Sequence, residues 1–193
     1  LCNVAPSGLA ASAVTNSGAT ISWTAASGAV SYDVDYKQVS SGTWTNAATA
    51  TISTSVNLSS LAIGSTYDYR VRANCVAGST SYTSAQFNTL CNVAPSGLAA
   101  SSITISSATI SWTAAIGATS YDVEYKEASS GTWINAATAT TSTSVNLSGL
   151  NYSTIHDWRV RTNCSAGSSS YTSAQFTTST PVCNDPSNLT SSA

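Results

Sequence analysis

The fold is decided by residues 61–73, which read Leu-Ala-Ile-Gly-Ser-Thr-Tyr-Asp-Tyr-Arg-Val-Arg-Ala. From Tyr67 onward, apolar residues alternate with charged ones. A β-strand places successive side chains on opposite faces, so this period of two predicts a strand with one buried face and one face toward solvent. The same alternation occurs in Tyr32-x-Val34-x-Tyr36. A disordered Ser/Thr/Ala-rich chain would not produce this pattern, so we expect a folded protein.

The chain is a tandem repeat. Residues 1–89 recur as residues 90–178, with about three quarters of the positions identical, and a third copy begins at Cys183. A unit of this length is too long for a solenoid repeat and suits a small independent domain. We therefore expect these domains: repeat 1 at 1–89, repeat 2 at 90–180, and the start of a third repeat at 181–193.

Seven short strands are predicted in the first repeat, separated by turns rich in Gly, Ser and Asn. No helical period is present. The predicted strands are Ser7–Val14, Ala19–Thr24, Ser31–Gln38, Thr43–Ala48, Ser55–Leu61, Tyr67–Asn74 and Tyr82–Asn88. Seven strands in about 90 residues are typical of an antiparallel β-sandwich, so the fold class is all-β.

Both repeats resemble fibronectin type III domains. The motifs that support this resemblance are Pro6-x-x-Leu9, Trp23, Tyr32-x-Val34-x-Tyr36-Lys37, and Leu61 followed by Gly64-x-x-Tyr67-x-Tyr69-x-Val71-x-Ala73. An immunoglobulin domain would instead place its Trp on the third strand, beside a disulfide between strands two and six. The second strand has no cysteine. The resemblance implies two tandem seven-stranded sandwiches, similar to the cysteine-bearing repeats of bacterial secreted and cell-surface proteins.

The resemblance also implies a pairing of the cysteines. Cys2 and Cys75 have the same spacing as Cys91 and Cys164. In the resembled fold the chain enters at the pole where the sixth strand ends, which implies Cys2–Cys75 and Cys91–Cys164 bonds and leaves Cys183 unpaired in this fragment. The rival Cys75–Cys91 pairing would span the whole seventh strand, on the order of 25 Å. Structural disulfides imply an extracellular or cell-surface location.

Alternation places most of the charged residues on one face of the third and sixth strands, which are antiparallel neighbours in the resembled fold. We expect cross-strand ion pairs there. The residues are Asp33, Asp35, Lys37, Asp68, Arg70 and Arg72 in the first repeat, and Asp122, Glu124, Lys126, Asp157, Arg159 and Arg161 in the second. A solvated sheet face and a docking surface are both compatible with this pattern.

Composition limits the partners. Charged residues make up 7% of the chain and the net charge is −2, where about 25% charged residues is usual. Without a Lys/Arg cluster, nucleic acid is not expected as a partner. Direct membrane insertion is not expected either, because no apolar stretch reaches about 20 residues. The neighbouring repeats of the same chain are expected partners, and weak charge leaves lateral self-association open.

Residues suited to catalysis are sparse. The single histidine, His156, stands where the first repeat has Tyr67. In the resembled family this position is the tyrosine corner, whose hydroxyl bonds to the backbone a few residues upstream. Asp33-x-Asp35 lacks the glycine and later glutamate of a calcium loop, and no phosphate-binding glycine loop is present. We expect no enzyme activity, no cofactor and no metal site.

Trp44 and Trp133 are the candidate ligand contacts. Both are predicted on the fourth strand near a sheet edge. An exposed Trp beside Asn46 or Asn135 is suited to stacking on a sugar ring of a surface glycan. The alternative is that each Trp closes the side of the core.

Two functions remain open. The chain contains no methionine, so we expect it to be a piece of a longer protein. The first prediction is a non-enzymatic segment of a long bacterial adhesin or extracellular filament, since adjacent copies are nearly identical. The alternative is a spacer or carbohydrate-associating accessory module of a secreted multidomain hydrolase.

Overall fold

The computed structural model describes residues 4–182. They form two compact units. The strands of the first repeat are β1 (Ser7–Ser12), β2 (Ala19–Thr24), β3 (Ser31–Gln38), β4 (Thr45–Thr51), β5 (Ser55–Leu58), β6 (Thr66–Cys75), β7 (Gly78–Ser79) and β8 (Thr83–Asn88). No helix among the described residues is long and apolar enough to cross a membrane.

The first repeat is a sandwich of two antiparallel sheets. One sheet has the order β1-β2-β5, and the other has the order β4-β3-β6, with β8 on the other side of β6 and the short β7 paired to its end. Val34 lies opposite Val71 in the β3–β6 register, and both are fully buried. Burial of a side chain of this size contributes roughly 1.5–3 kcal/mol. Trp23 and Tyr69 belong to the same core.

The second repeat has the same topology. Its strands are β9 (Ser96–Ser101), β10 (Ser107–Thr113), β11 (Ser120–Glu127), β12 (Ile134–Thr140), β13 (Ser144–Ser148), β14 (Ile155–Cys164), β15 (Gly167–Ser168) and β16 (Thr172–Thr177). The sheets are β13-β10-β9 and β12-β11-β14, with β15 and β16 paired to β14. Ile110, Val123, Trp158 and Val160 are fully buried in its core.

The predicted all-β fold is confirmed, and the fourth strand differs most from its prediction. It begins at Thr45, not Thr43, and continues to Thr51. Its pairing with β3 shifts register twice between Tyr32 and Asp35. Ala50 has a φ of 51°, in the left-handed region that non-glycine residues seldom adopt. Such a bulge inserts extra residues on one strand, so the alternation that locates strands in sequence is interrupted here.

Candidate functional site: the charged face of the larger sheet

The outer surface of β3 and β6, with its counterpart on β11 and β14, is here called the charged face. In the first repeat, register places each acidic residue opposite a basic one. The nitrogen–oxygen distances are 2.9 Å for Arg72–Asp33, 3.0 Å for Arg70–Asp35 and 3.5 Å for Lys37–Asp68. The predicted cross-strand ion pairs are therefore present.

The second repeat has the same arrangement. Its distances are 2.9 Å for Arg161–Asp122, 2.6 Å for Arg159–Glu124 and 3.0 Å for Lys126–Asp157. These side chains are partly covered: Lys126 is 14% exposed and Asp157 is 21% exposed. Each charge on this face has a partner of opposite sign, so the face is charge-balanced.

Aromatic rings cover the central arginine of each face. The guanidinium carbon of Arg70 lies 4.2 Å from the centre of the Trp44 ring and 4.1 Å from that of Tyr82. Arg159 lies 4.1 Å from Trp133 and 4.3 Å from Tyr171. Cation–π contacts of this kind contribute about 0.5–2 kcal/mol each. They also hold the indole rings in place.

Trp44 and Trp133 are half-buried and immediately precede β4 and β12, the edge strands of their sheets. Both were predicted on the fourth strand itself, which is incorrect by one residue. Trp44 is not a member of the core of the first repeat. Both indoles pack on the charged face, next to Lys37 or Lys126 as well as the arginine. Closing the side of the core is therefore not the role of Trp44.

Tyr82 and Tyr171 were not among the predicted site residues. A signal was available, because Tyr82 has the same strand parity as Ser84 and Gln86 and therefore points to the outer face. Burial raises the pKa of both tyrosines. A hydrogen bond with Asp35 adds to this effect at Tyr82.

Asp33 anchors the bulge in β4. Its Oδ1 accepts hydrogen bonds of 2.9 Å from the Ala50 backbone N–H and from Asn74, and its Oδ2 accepts two from Arg72. Burial acts to raise the pKa of Asp33, but the hydrogen bonds from Ala50, Arg72 and Asn74 outweigh it, and the pKa is lowered. Although Asp33 was predicted on the solvated face, it is only 8% exposed.

A groove lies beside Trp133. It has a volume of about 290 Å³ and is lined by Trp133, Asp157, Ser173, Ala174 and Gln175. The Gln175 side-chain amide donates a 2.6 Å hydrogen bond to Asp157 Oδ1. This hydrogen bond and the Lys126 ammonium group lower the pKa of Asp157. The groove therefore combines an aromatic wall with ionised and amide groups. Asn135, the predicted polar neighbour of Trp133, does not line it.

Comparison with known proteins identifies the family. The sequence model of the fibronectin type III domain matches residues 4–89 and 93–179. The chain belongs to the fibronectin type III family. A solved two-domain fibronectin type III segment of chicken tenascin agrees in fold, with a TM-score of 0.76 at 23% identity over 91% of this chain and 100% of that chain. Tandem fibronectin type III domains are a non-catalytic type of module, which agrees with the prediction of no enzyme activity.

Three curated relatives are enzymes in which the matched region is a minor part. Endoglucanase B of Cellulomonas fimi is 35% identical over 92% of this chain and 18% of its own length. Chitinase A1 of Niallia circulans is 32% identical over 84% of this chain and 24% of its own length. Exoglucanase B of Cellulomonas fimi is 34% identical over 91% of this chain and 16% of its own length. The chain thus spans about a fifth of the length of these relatives.

The two fibronectin type III domains differ at the tyrosine corner. Tyr67 accepts a 2.8 Å hydrogen bond from the Ala62 backbone N–H and stacks on Phe87. His156 is 1% exposed and stacks on Phe176, and its Nδ1 lies 3.1 Å from the Thr154 carbonyl oxygen. A cavity of about 80 Å³ lies beside His156. The histidine therefore occupies the corner position with a different hydrogen bond.

The cysteines of the second domain are bonded to each other. Cys91 and Cys164 form a disulfide with a Cα separation of 6.0 Å. Cys75 is also disulfide-bonded. Cys2, its predicted partner, and Cys183, predicted to be unpaired in the fragment, lie outside the described residues.

A metal centre has no candidate ligand set in the part of the chain that the structure describes. Within residues 4–182, no group of three or more His, Cys, Asp or Glu side chains is arranged to hold an ion. Asp33 and Asp35 instead bind Arg72 and Arg70. The acidic residues of this face thus take part in ion pairs.

Proposed function

We propose that these two domains are a non-catalytic spacer and glycan-associating segment of an extracellular polysaccharide-degrading enzyme. The observation that carries the proposal is the set of relatives, whose names denote two glucanases and a chitinase. The similarity extends over at least 84% of this chain but at most 24% of each relative. A shared accessory segment accounts for this asymmetry.

The properties of the segment suit such a role. The disulfide of the second domain is compatible with an oxidising extracellular environment. Between Thr89 and Pro95 the sequence has no flexible Gly/Ser run. Two folded domains in a chain separate their neighbours while keeping them at a high effective concentration relative to each other. A catalytic domain and a substrate-binding domain attached at the two ends would benefit from this arrangement.

The relatives favour this function over the adhesin or filament that we predicted first. One observation still supports the latter, because neighbouring copies of an array are nearly identical in this chain. Both functions use the domains as non-catalytic modules. The two functions differ in the kind of domain expected on either side of this pair of domains.

The complete reading frame tests the proposal directly. We expect a glycoside hydrolase domain in the same polypeptide, and a long run of further repeats without one would refute the proposal. In the full-length enzyme, deletion of residues 1–178 should lower hydrolysis of insoluble polysaccharide more than hydrolysis of a soluble oligosaccharide. A control in which the segment is replaced by another fibronectin type III pair separates spacing from surface chemistry. An equal fractional loss of rate on both substrates after deletion would contradict the proposal.

A further inference from the structure

The groove beside Trp133 contains the groups that recognise a sugar ring. Trp133 supplies an aromatic surface suited to the apolar face of a pyranose, and amphipathic rings of this kind are favoured where one side is apolar and the other is wet. Ser173 and Gln175 are exposed residues of β16, the strand that pairs with β14. A glutamine amide has two N–H donors and an acceptor oxygen, and one N–H is used by Asp157. The second N–H and the oxygen of the Gln175 amide, together with the Ser173 hydroxyl, are suited to hydrogen bonds with adjacent hydroxyl groups of a sugar ring.

The groove is held in shape before any ligand binds. Trp133 lies against Arg159 and Lys126, and these cations are in turn paired with Glu124 and Asp157. Ordering a flexible side chain on binding has a cost in conformational entropy. Because Trp133 is already restrained by its neighbours, much of that cost is avoided.

Charge balance selects the class of sugar. Each of the three cations on the charged face of the second domain is paired with a carboxylate. Binding an anionic polysaccharide requires Lys or Arg groups that are not already paired with a carboxylate. The three cations of this face are all paired in this way. Binding a neutral sugar does not require any of these ion pairs to break. The chemistry therefore favours neutral hexoses over uronic acids.

The first domain has the same residues at an offset of 89. Trp44, Asp68, Ser84, Ala85 and Gln86 correspond to the five residues that line the groove. The Gln86 amide donates a 2.7 Å hydrogen bond to Asp68. Arg70 contacts Trp44 as Arg159 contacts Trp133. The local contacts that build the groove are thus repeated.

We propose that each domain binds the neutral β-linked hexose chain of a polysaccharide such as cellulose or chitin, with Trp133 and Trp44 as stacking platforms. This inference rests on the proposed function for its choice of polysaccharide. The groove of about 290 Å³ lies at the small end of ligand pockets. Weak binding with a millimolar Kd and two sites per chain is therefore expected.

Indole N–H signals in a ¹⁵N-labelled sample of the 193-residue chain test the proposal. The chain has five Trp residues, of which Trp23, Trp112 and Trp158 are buried. On titration with cellohexaose or chitohexaose, the signals of Trp44 and Trp133 should shift saturably while the three buried indoles stay in place. The two sugars separate a glucan from a chitin preference. A galacturonate oligomer should cause smaller shifts.

Substitutions locate the site. Gln175→Ala should weaken binding at the second domain about fivefold or more, as read from the Trp133 indole signal, while the Trp44 signal still shifts. Trp133→Ala removes that indole, so its effect is read from the backbone amide signals of Ser173 and Gln175, which should no longer shift. Tyr152→Ala is the matched control, because Tyr152 is a 63% exposed aromatic residue of the same domain that does not line the groove. Unchanged buried indole signals verify folding of every variant.

The proposal is refuted if neither indole signal moves at 20 mM sugar, or if Tyr152→Ala abolishes the shifts. Its failure is distinct from failure of the proposed function. A reading frame that encodes a hydrolase domain, together with unshifted Trp44 and Trp133 indole signals, would support the spacer function and refute the sugar site. Saturable shifts of these signals in a protein without a hydrolase domain would support the sugar site and refute the proposed function.

Discussion

The Tyr67 hydroxyl accepts a hydrogen bond of 2.8 Å from the backbone N–H of Ala62. This bond ties the start of β6 to the loop before it. In the second domain the equivalent residue is His156, which pairs with Thr154 and leaves a cavity of about 80 Å³ beside it. The two domains are otherwise close copies, so they form a natural internal comparison.

His156→Tyr should stabilise the second domain. The new hydroxyl can accept from the backbone N–H of Asn151, the counterpart of Ala62, and the ring fills part of the cavity. A hydrogen bond contributes about 1 kcal/mol net, so the free energy of unfolding should rise by about that amount. Urea unfolding followed by domain-resolved NMR measures it. His156→Phe is the control, and an equal gain with Phe would show that the hydroxyl is irrelevant.

Tyr67→Phe should destabilise the first domain and leave the second unchanged. It removes only the acceptor of the Ala62 N–H, and an unpaired backbone donor costs about 1–3 kcal/mol. The same unfolding measurement applies. Tyr36→Phe is a suitable control because Tyr36 packs at the edge of the same core. A loss no greater than in the control would contradict the prediction.

Asp33→Asn should loosen the bulge in β4. The substitution preserves shape but weakens the bonds to Arg72 and Ala50. Hydrogen bonds to charged groups contribute about 1.5–3 kcal/mol, although the partial exposure of Arg72 reduces its share. We expect a loss of about 1–2 kcal/mol and faster hydrogen exchange at Ala50. Asp68→Asn, at a carboxylate that is more exposed than that of Asp33, should cost at most about 0.5 kcal/mol. Equal losses would contradict the anchoring role.

Stability should fall in acid because of Asp33 and Asp157. Both have a pKa lowered below the ordinary value of 3.8. A carboxyl group with a lower pKa in the folded state stabilises fully above its unfolded pKa, and this contribution is lost as the pH falls through the folded pKa. Urea midpoints should therefore be level above about pH 5 and decline below about pH 4. The decline should be shallower in Asp33→Asn; an unchanged slope would exclude Asp33 as a source.

Peptide mapping without reduction should find Cys2 joined to Cys75 and Cys91 joined to Cys164. The second bond closes a loop with a sequence separation of 73. Its loss should lower the free energy of unfolding by about 4 kcal/mol in the chain-entropy model. The double substitution Cys91→Ser and Cys164→Ser measures this in the second domain, with the first domain as internal control. A Cys75–Cys91 peptide would contradict the pairing.

The local sequence pattern was sufficient for the fold and for much of the candidate site. Alternation in Tyr67–Ala73 and Tyr32–Lys37 placed apolar and charged residues on opposite faces, because a strand has a fixed period of two. Matching the two apolar faces then restricts the register of β3 with β6 to shifts of two residues, and the observed register places Asp35 opposite Arg70. These relations depend on short segments, and the sequence contains them in full.

The tertiary structure alone decided how the sheet edge meets that face. Ala50 adopts a left-handed conformation and donates to Asp33, which buries a carboxylate predicted to face solvent. Trp44 lies just before β4 and packs on Arg70, so it is neither free nor part of the core. The first result depends on a bulge that interrupts the alternation, and the second depends on a contact between segments distant in sequence. A period of two specifies which face a residue takes, but it does not specify what an edge strand brings to cover that face.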